Sequence, residues 1–547
     1  MGFQKMKKKF IGKNIFKGNV FLVIVTYITM LYIYFRIQLD SIQFSIPDYD
    51  TNKHIIFASH YAYSLENFIW NKELAESTSV NLLTYAFLGF LSILNIKARY
   101  GFIAGYSICL LGIFYSAYAI FRDFIKSSFV LAILMLSGIL FSYEGGLLDF
   151  RIDVFSVTLC IMSYSSLINK KYLNGILLFL TAALFKSSSF YLFLPIVILT
   201  VVCGKWKYRN QYKLSSILKI ISIGVLGFFF IKFVFVHSLS YNLIGTGGES
   251  VPEKIRKYLL AVPLLVQEDY YFKRTEFISY AAVMLVSCIF FLVNQRRYFL
   301  KNNLTELLIP FFIYLYTIFL LNSNPVKSPV LLIWFLPALF SISVPIVRIL
   351  NELLRRKNKN AFSIFYVLLI VFVNISVSYD LHNKSVINDS NIEKLDTMKQ
   401  IESFAVYIDS EVDPKDRIFI LANFAYREKD IPAFADSINA VLQEKLNKKY
   451  NISSGEFVTF EKDKVFDFFK RMSKEYDTLF LILERESDQF EPKYYVNYYT
   501  REIFIKINRF ADCFDPITED ISVQKHGDRK ILRYRKEGQC ENIFKDL

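Results

Sequence analysis

The chain has 547 residues, 54% of them hydrophobic, with 55 phenylalanines, a mean hydropathy of +0.33 and a formal net charge of +15. It is more apolar than an average globular protein, and its apolar runs are long enough to cross a bilayer at about 20 residues each. The basic residues fall in short clusters between those runs, which is a membrane topology signal and argues against a nucleic-acid face. No Walker loop, HExxH, CxxC or GxSxG is present, which argues against ATP-driven transport, a zinc protease and an α/β-hydrolase.

The first apolar run, Val20 to Ile37, is too long for a cleavable signal segment and has no small-residue cleavage site, so it reads as a signal anchor. Lys5, Lys7, Lys8, Lys9, Lys13 and Lys17 before it assign the N-terminus to the cytoplasm. Further apolar runs follow at 78–95, 100–121, 128–144, 153–169, 172–186, 187–204, 215–237, 276–294, 304–322, 328–348 and 361–379. The run 78–95, with Asn81, Thr84 and Tyr85, decides the topology. If it crosses, Lys170–Lys171, Lys205–Lys213, Arg296–Arg297 and Arg355–Lys359 all fall outside. If it lies on the outer surface, all four clusters fall inside, as the positive-inside rule requires. The reading is therefore a polytopic α-helical membrane protein of about eleven crossings, an outer juxtamembrane helix, and an extracytoplasmic C-terminal part.

Past Asp380 the pattern becomes charged and amphipathic. Strand-like runs at Arg417–Leu421 and Thr478–Leu483 each follow a helical stretch, 394–409 and 463–475, which predicts a soluble α/β domain. The expected division is 1–380 for the membrane region, with outer juxtamembrane helices in 39–98, and 381–547 for the soluble domain. Cys109, Cys160, Cys203 and Cys288 lie in apolar runs as packing residues. Cys513 and Cys540 lie in the tail, where spacing leaves both a disulfide and free thiols open.

This topology gathers several polar segments at one membrane face. Pro47-Asp48-Tyr49-Asp50 offers two close carboxylates, which need a cation or a shifted pKa if buried. One suits a general base; the plain alternative is a solvated loop with Asp50 capping a helix at 52–63. Tyr143–Asp153 joins two runs and carries Glu144, Arg151 and Asp153. Ionisable groups at a helix mouth are costly in a membrane. Arg151 has the fork for a phosphate, or pairs with Asp153 beside a helix N-cap. Lys186, in Phe185-Lys186-Ser187-Ser188-Ser189, and Lys232 either contact phosphate or snorkel to the boundary. The basic loop 238–275 breaks the charge trend and suits either an anionic lipid head group or a solvated helix.

These segments together resemble the GT-C class of membrane glycosyltransferases, such as protein O-mannosyltransferases, lipid A aminoarabinose transferases and bacterial surface-polysaccharide relatives. In that class an acidic motif follows the first span, as Asp48-Tyr49-Asp50 does, and a juxtamembrane helix follows, as at 78–95. Ala98-Arg99-Tyr100-Gly101 resembles the start of its second crossing. Phe150-Arg151-Ile152-Asp153 resembles its Arg-Pro-Asp segment, with Ile152 in place of Pro. Leu184-Phe185-Lys186-Ser187 and Leu192-Phe193-Leu194-Pro195 resemble its Thr-Lys-x and Leu-Pro pair. The likeness covers about residues 15–205.

The resemblance implies a polyprenyl-phosphate sugar donor, used at the outer face of a bacterial cytoplasmic membrane with inversion at the sugar carbon. It implies a glycan, lipid or protein acceptor and no nucleic acid. Asp50 or Asp48 is then the base; Arg151, Lys186 and Lys232 contact the lipid phosphate; Glu144 and Asp153 support them. A divalent metal, Mg or Mn, serves only some members. Two other readings stand beside it. Multi-span polysaccharide polymerases also show Pro-Asp-Tyr after the first span, but they carry Arg-Gln where this chain has Arg151-Ile152 and usually lack a large tail. A lipid-linked sugar transporter would place charges near the midplane of several spans, and the spans here are clean in their middles.

Overall fold

A computed structural model describes residues 2–44, 49–67, 82–141, 146–148, 150–186, 189, 197, 333–357, 359–384, 390–423, 434–457, 471–472, 474–484, 514–516 and 529–534. In chain order its helices are α1 (Gly2–Phe44), α2 (Tyr49–Glu66), α3 (Leu82–Ile93), α4 (Ala98–Phe121), α5 (Phe124–Leu136), α6 (Asp153–Ile168), α7 (Tyr172–Phe185), α8 (Leu336–Lys357), α9 (Lys359–Lys384), α10 (Ser390–Glu411) and α11 (Phe434–Lys445). Its strands are β1 (Arg417–Asn423), β2 (Asn451–Phe457), β3 (Thr478–Glu484), β4 (Phe514–Pro516) and β5 (Arg529–Tyr534). The chain forms two compact units: 1–38, 76–84 and 102–385 in the first; 39–75, 85–101 and 386–547 in the second.

The described part of the first unit is helical, with exposed apolar faces on α4 and α9. Asn19–Ile42, Ala98–Phe121 and Ile364–His382 are long and apolar enough to cross a membrane, while 124–136, 153–168, 172–185 and 333–348 are shorter apolar helices. On α4 the large side chains Ile108, Leu111 and Tyr115 are exposed, while Phe102, Tyr106, Ile113 and Ala117 are buried. On α9 Leu368, Phe372, Ile375 and Tyr379 form a second exposed stripe at helical spacing. An exposed apolar stripe is stable against lipid and costly in water.

Helices α6 and α7 form an antiparallel hairpin. Lys170 turns the chain in the left-handed region at φ 63. With little hydrophobic force between helices in lipid, polar contacts and close packing hold such a hairpin together. Ser156 donates to the Ala182 carbonyl and Ser163 to the Gly175 carbonyl, both at 2.7 Å. Ser165 donates to the Ser116 carbonyl on α4 at 2.8 Å. Gly105 on α4 admits the Phe155 ring: a Cβ there would lie 2.3 Å from its Cε1.

The second unit is built on a five-stranded sheet of order β2-β1-β3-β5-β4. β1 runs parallel to β2 and β3, and β5 antiparallel to β3 and β4. β1 is apolar on both faces, as suits a central strand. Ile418 and Ile420 join Phe404, Ile408, Val441, Leu442 and Phe480 in one core, and Phe419 meets the Tyr476 ring at 4.9 Å on the other face. Helix α11 follows β1 and leads into parallel β2, a βαβ crossover. Within this unit α2 lies against α11 and β2. Helix α3 has 12 residues, a rise of about 18 Å against a hydrocarbon core of about 30 Å.

Candidate functional site

Of the residues singled out above, Arg151, Asp153 and Lys186 lie in the described part of the first unit. Asp48, Glu144 and Lys232 lie outside the described residues, as do Cys513 and Cys540. Cys109 and Cys160 are buried free thiols. Asp50 belongs to the second unit as the second residue of α2. Helix α2 begins three residues earlier than the pattern predicts, so Asp50 sits inside the first turn and does not cap it. An acidic residue in a first turn is favoured by the helix dipole.

The hairpin brings Asp153 and Lys186 together from opposite ends of its sequence. Asp153 is the first residue of α6 and Lys186 the C-cap of α7. Their charged atoms, Oδ1 and Nζ, are 3.7 Å apart, with the Asp153 side chain 8% exposed and that of Lys186 29% exposed. A well-formed charge-assisted bond is nearer 2.7–2.9 Å, so the contact is loose. The same Oδ1 accepts a 3.0 Å hydrogen bond from the Trp334 indole Nε1. Asp153 is thus a neighbour-binding carboxylate and not the helix cap: Ile152 occupies the cap position without a side-chain bond.

The segment leading into Asp153 is pinned from two helices. The Leu147 carbonyl accepts from Tyr34 Oη at 3.1 Å and Gln38 Nε2 at 2.5 Å, both on α1. The Arg151 carbonyl accepts from Tyr106 Oη on α4 at 2.8 Å. Beneath them Phe155 stacks on Phe185 at 5.7 Å and meets Tyr106 at 5.5 Å and Phe102 at 5.9 Å. These rings fix the backbone on either side of the ion pair. Among the described residues no group of three His, Cys, Asp or Glu side chains gathers to hold a metal.

Trp334 lies within 328–348, which hydropathy alone marks only as an apolar run. It is one of three tryptophans in the chain. A buried indole N–H usually finds an acceptor, and that was the available signal.

The second unit carries a different charge pair. Arg99, at the start of α4, binds Glu444 on α11: Nε donates to Oε2 at 2.7 Å, Nη2 lies 2.7 Å from Oε2, and the backbone N–H donates to Oε1 at 3.3 Å. Their side chains are 1% and 3% exposed. Nearby, His60 Nε2 donates to the Ile452 carbonyl at 2.6 Å. Burial pushes the His60 pKa down, partly opposed by that hydrogen bond. Burial also lowers Lys97, with Lys445 adding repulsion.

No family model matches the sequence, and no curated protein matches it. Two structures of one protein stand among the similar solved structures. ArnT from Cupriavidus metallidurans bound to undecaprenyl phosphate superposes with a TM-score of 0.53 at 10% identity, covering 94% of this chain and 98% of that one. ArnT from the same organism in the apo state gives a TM-score of 0.54 at 10% identity, covering 93% and 97%. ArnT is an aminoarabinose transferase of the GT-C class. Over nearly its whole length, this chain has the membrane fold of ArnT.

Proposed function

We propose that the chain is a GT-C glycosyltransferase that moves a sugar from a polyprenyl-phosphate-linked donor to a glycan, lipid or protein acceptor at the outer face of the cytoplasmic membrane. The observation that carries the reading is an ArnT fold in which a partly exposed lysine, Lys186, is held loosely by a carboxylate at the open end of a membrane hairpin. An ArnT structure with undecaprenyl phosphate bound supports a lipid phosphate as the donor's head.

In this reading Asp50, or Asp48, takes the proton from an acceptor hydroxyl. The acceptor oxygen attacks the sugar's anomeric carbon and forms the new glycosidic bond. The bond from that carbon to the phosphate oxygen breaks, and the lipid phosphate departs with the electron pair. Configuration inverts because attack and departure occur on opposite faces. Arg151, Lys186 and Lys232 stabilise the charge that grows on the leaving phosphate. Glu144 and Asp153 orient those cations. The N-terminus is cytoplasmic and the C-terminal domain extracytoplasmic in the same scheme.

Asp50→Asn and Asp48→Asn, compared in a transfer assay with purified protein and an undecaprenyl-phosphate-linked sugar, test the base. The catalytic aspartate's variant should lose roughly 10²–10⁴-fold in rate while still binding undecaprenyl phosphate. Near-normal rates in both variants would end the carboxylate mechanism. Asp50 is the stronger candidate because its backbone is fixed in the first turn of α2.

A further inference from the structure

We infer that Trp334 is a positioning residue that keeps Lys186 available to an anion, by occupying the Asp153 oxygen on which Lys186 would otherwise close. The inference deepens the proposed function, because it rests on reading Lys186 as a phosphate contact.

Asp153 Oδ1 receives two groups, the Trp334 indole at 3.0 Å and the Lys186 ammonium at 3.7 Å. The neutral donor has the shorter contact. That ordering is unexpected on electrostatics alone, since a carboxylate binds an ammonium more strongly than an indole N–H. Geometry explains it. Trp334 is 2% exposed and lies in the 333–335 turn just before α8, so its ring cannot swing away. The Lys186 side chain is 29% exposed and flexible, and it takes the distance that remains.

Two consequences follow for Lys186. The carboxylate is near enough to hold the ammonium in the right region, which lowers the entropy lost when an anion binds. It is too far to saturate the ammonium's three donors, so among the described residues these stay open to phosphate oxygens. Without the indole N–H, an oxygen that is almost fully buried would be left short of a donor. Leaving it so is costly, and Lys186 is the mobile donor already beside it. The lysine would close onto Asp153 and become a structural ion pair.

The experiment uses the full-length protein in lipid nanodiscs. Lys186 is acylated with an amine-reactive ester, and its rate is followed by peptide mass spectrometry. Trp334→Phe should slow labelling about two- to fivefold, the range of a partly exposed ion pair forming in full. Asp153→Asn should speed it. In the Asp153→Asn background, Trp334→Phe should have no further effect, because no carboxylate remains to close upon. Benzothienylalanine at position 334 keeps the bicyclic shape and removes only the N–H, so it should reproduce Trp334→Phe even if Phe loosens the core. Equal labelling of wild-type protein and the benzothienylalanine variant overturns the inference, as does an undiminished Trp334→Phe effect in the Asp153→Asn background. Undecaprenyl phosphate binding separates this inference from the function it rests on. Weakened binding in the same two- to fivefold range supports both. The expected labelling pattern with no binding by wild-type protein keeps the positioning role and removes the phosphate reading.

Discussion

Two ion pairs in this protein carry similar chemistry and opposite geometry. Arg99 and Glu444 in the second unit meet at 2.7 Å through more than one bond, almost wholly buried. Lys186 and Asp153 in the first unit stand 3.7 Å apart, with the lysine partly exposed and a tryptophan sharing the oxygen. A closed pair uses its charges on each other and leaves none for a ligand. An open pair keeps a cation in place while leaving its donors unsaturated. The residue types reinforce the contrast, since guanidinium suits fixed multi-bond recognition and ammonium a movable point charge.

The largest effect should come from breaking the closed pair. Glu444→Ala leaves a buried guanidinium uncompensated, and the expected loss is about 3–5 kcal/mol of stability. Denaturant unfolding followed by protease nicking of the second unit would measure it. Lys186→Ala, with denaturant unfolding followed by nicking of the first unit, should cost less than about 1 kcal/mol. Equal losses at the two sites would erase the distinction between a closed and an open pair.

A smaller effect should come from the scaffold under the open pair. Gly105→Ala places a methyl group against the Phe155 ring, which is itself held between Phe185, Tyr106 and Phe102. The ring has no easy retreat, so overpacking of about 1–3 kcal/mol is expected. Thermal unfolding in detergent would report it, and Phe155→Leu in the same chain should recover part of the loss.

The smallest effect sharpens the comparison through pH. The folded pKa of His60 is lowered, so the folded state favours the neutral ring. Above the ordinary value of about 6.5 its contribution is fully present. As pH falls below that value the unfolded chain takes up the proton first, and stability drops until the folded pKa is passed. The slope should not exceed about 1.4 kcal/mol per pH unit. Unfolding midpoints of the second unit at pH 7.5 and 5.5 should differ, and His60→Gln should flatten the difference.

Local pattern made some of this architecture readable in the sequence. The hairpin at 153–169 and 172–186 came from two apolar runs around Lys170 and Lys171, and it matches α6 and α7 to within a residue. The strand-like runs beginning at Arg417 and Thr478 correspond to β1 and β3 for the same reason, a dense apolar run bounded by polar turns. Arg151, Asp153 and Lys186 stood out because charge beside an apolar run is rare. What pattern cannot carry is partnership at a distance. Trp334 lies 181 residues from Asp153, and Glu444 lies 345 from Arg99. Neither contact leaves a periodic trace. Each depends on how helices meet, which side-chain volume decides.

The loose pair at the open end of the α6–α7 hairpin also bears on how the chain enters its membrane. Lys170 and Lys171 at the closed end favour keeping that turn on the cytoplasmic side. In the proposed topology the open end, with Asp153 and Lys186, is the part carried through the hydrocarbon during insertion. Two lone charges making that passage would each oppose it by several kcal/mol. Opposite charges brought side by side on a preformed hairpin make the passage as a dipole. In that topology, the same geometry that leaves Lys186 open in the finished protein would also ease its translocation during synthesis.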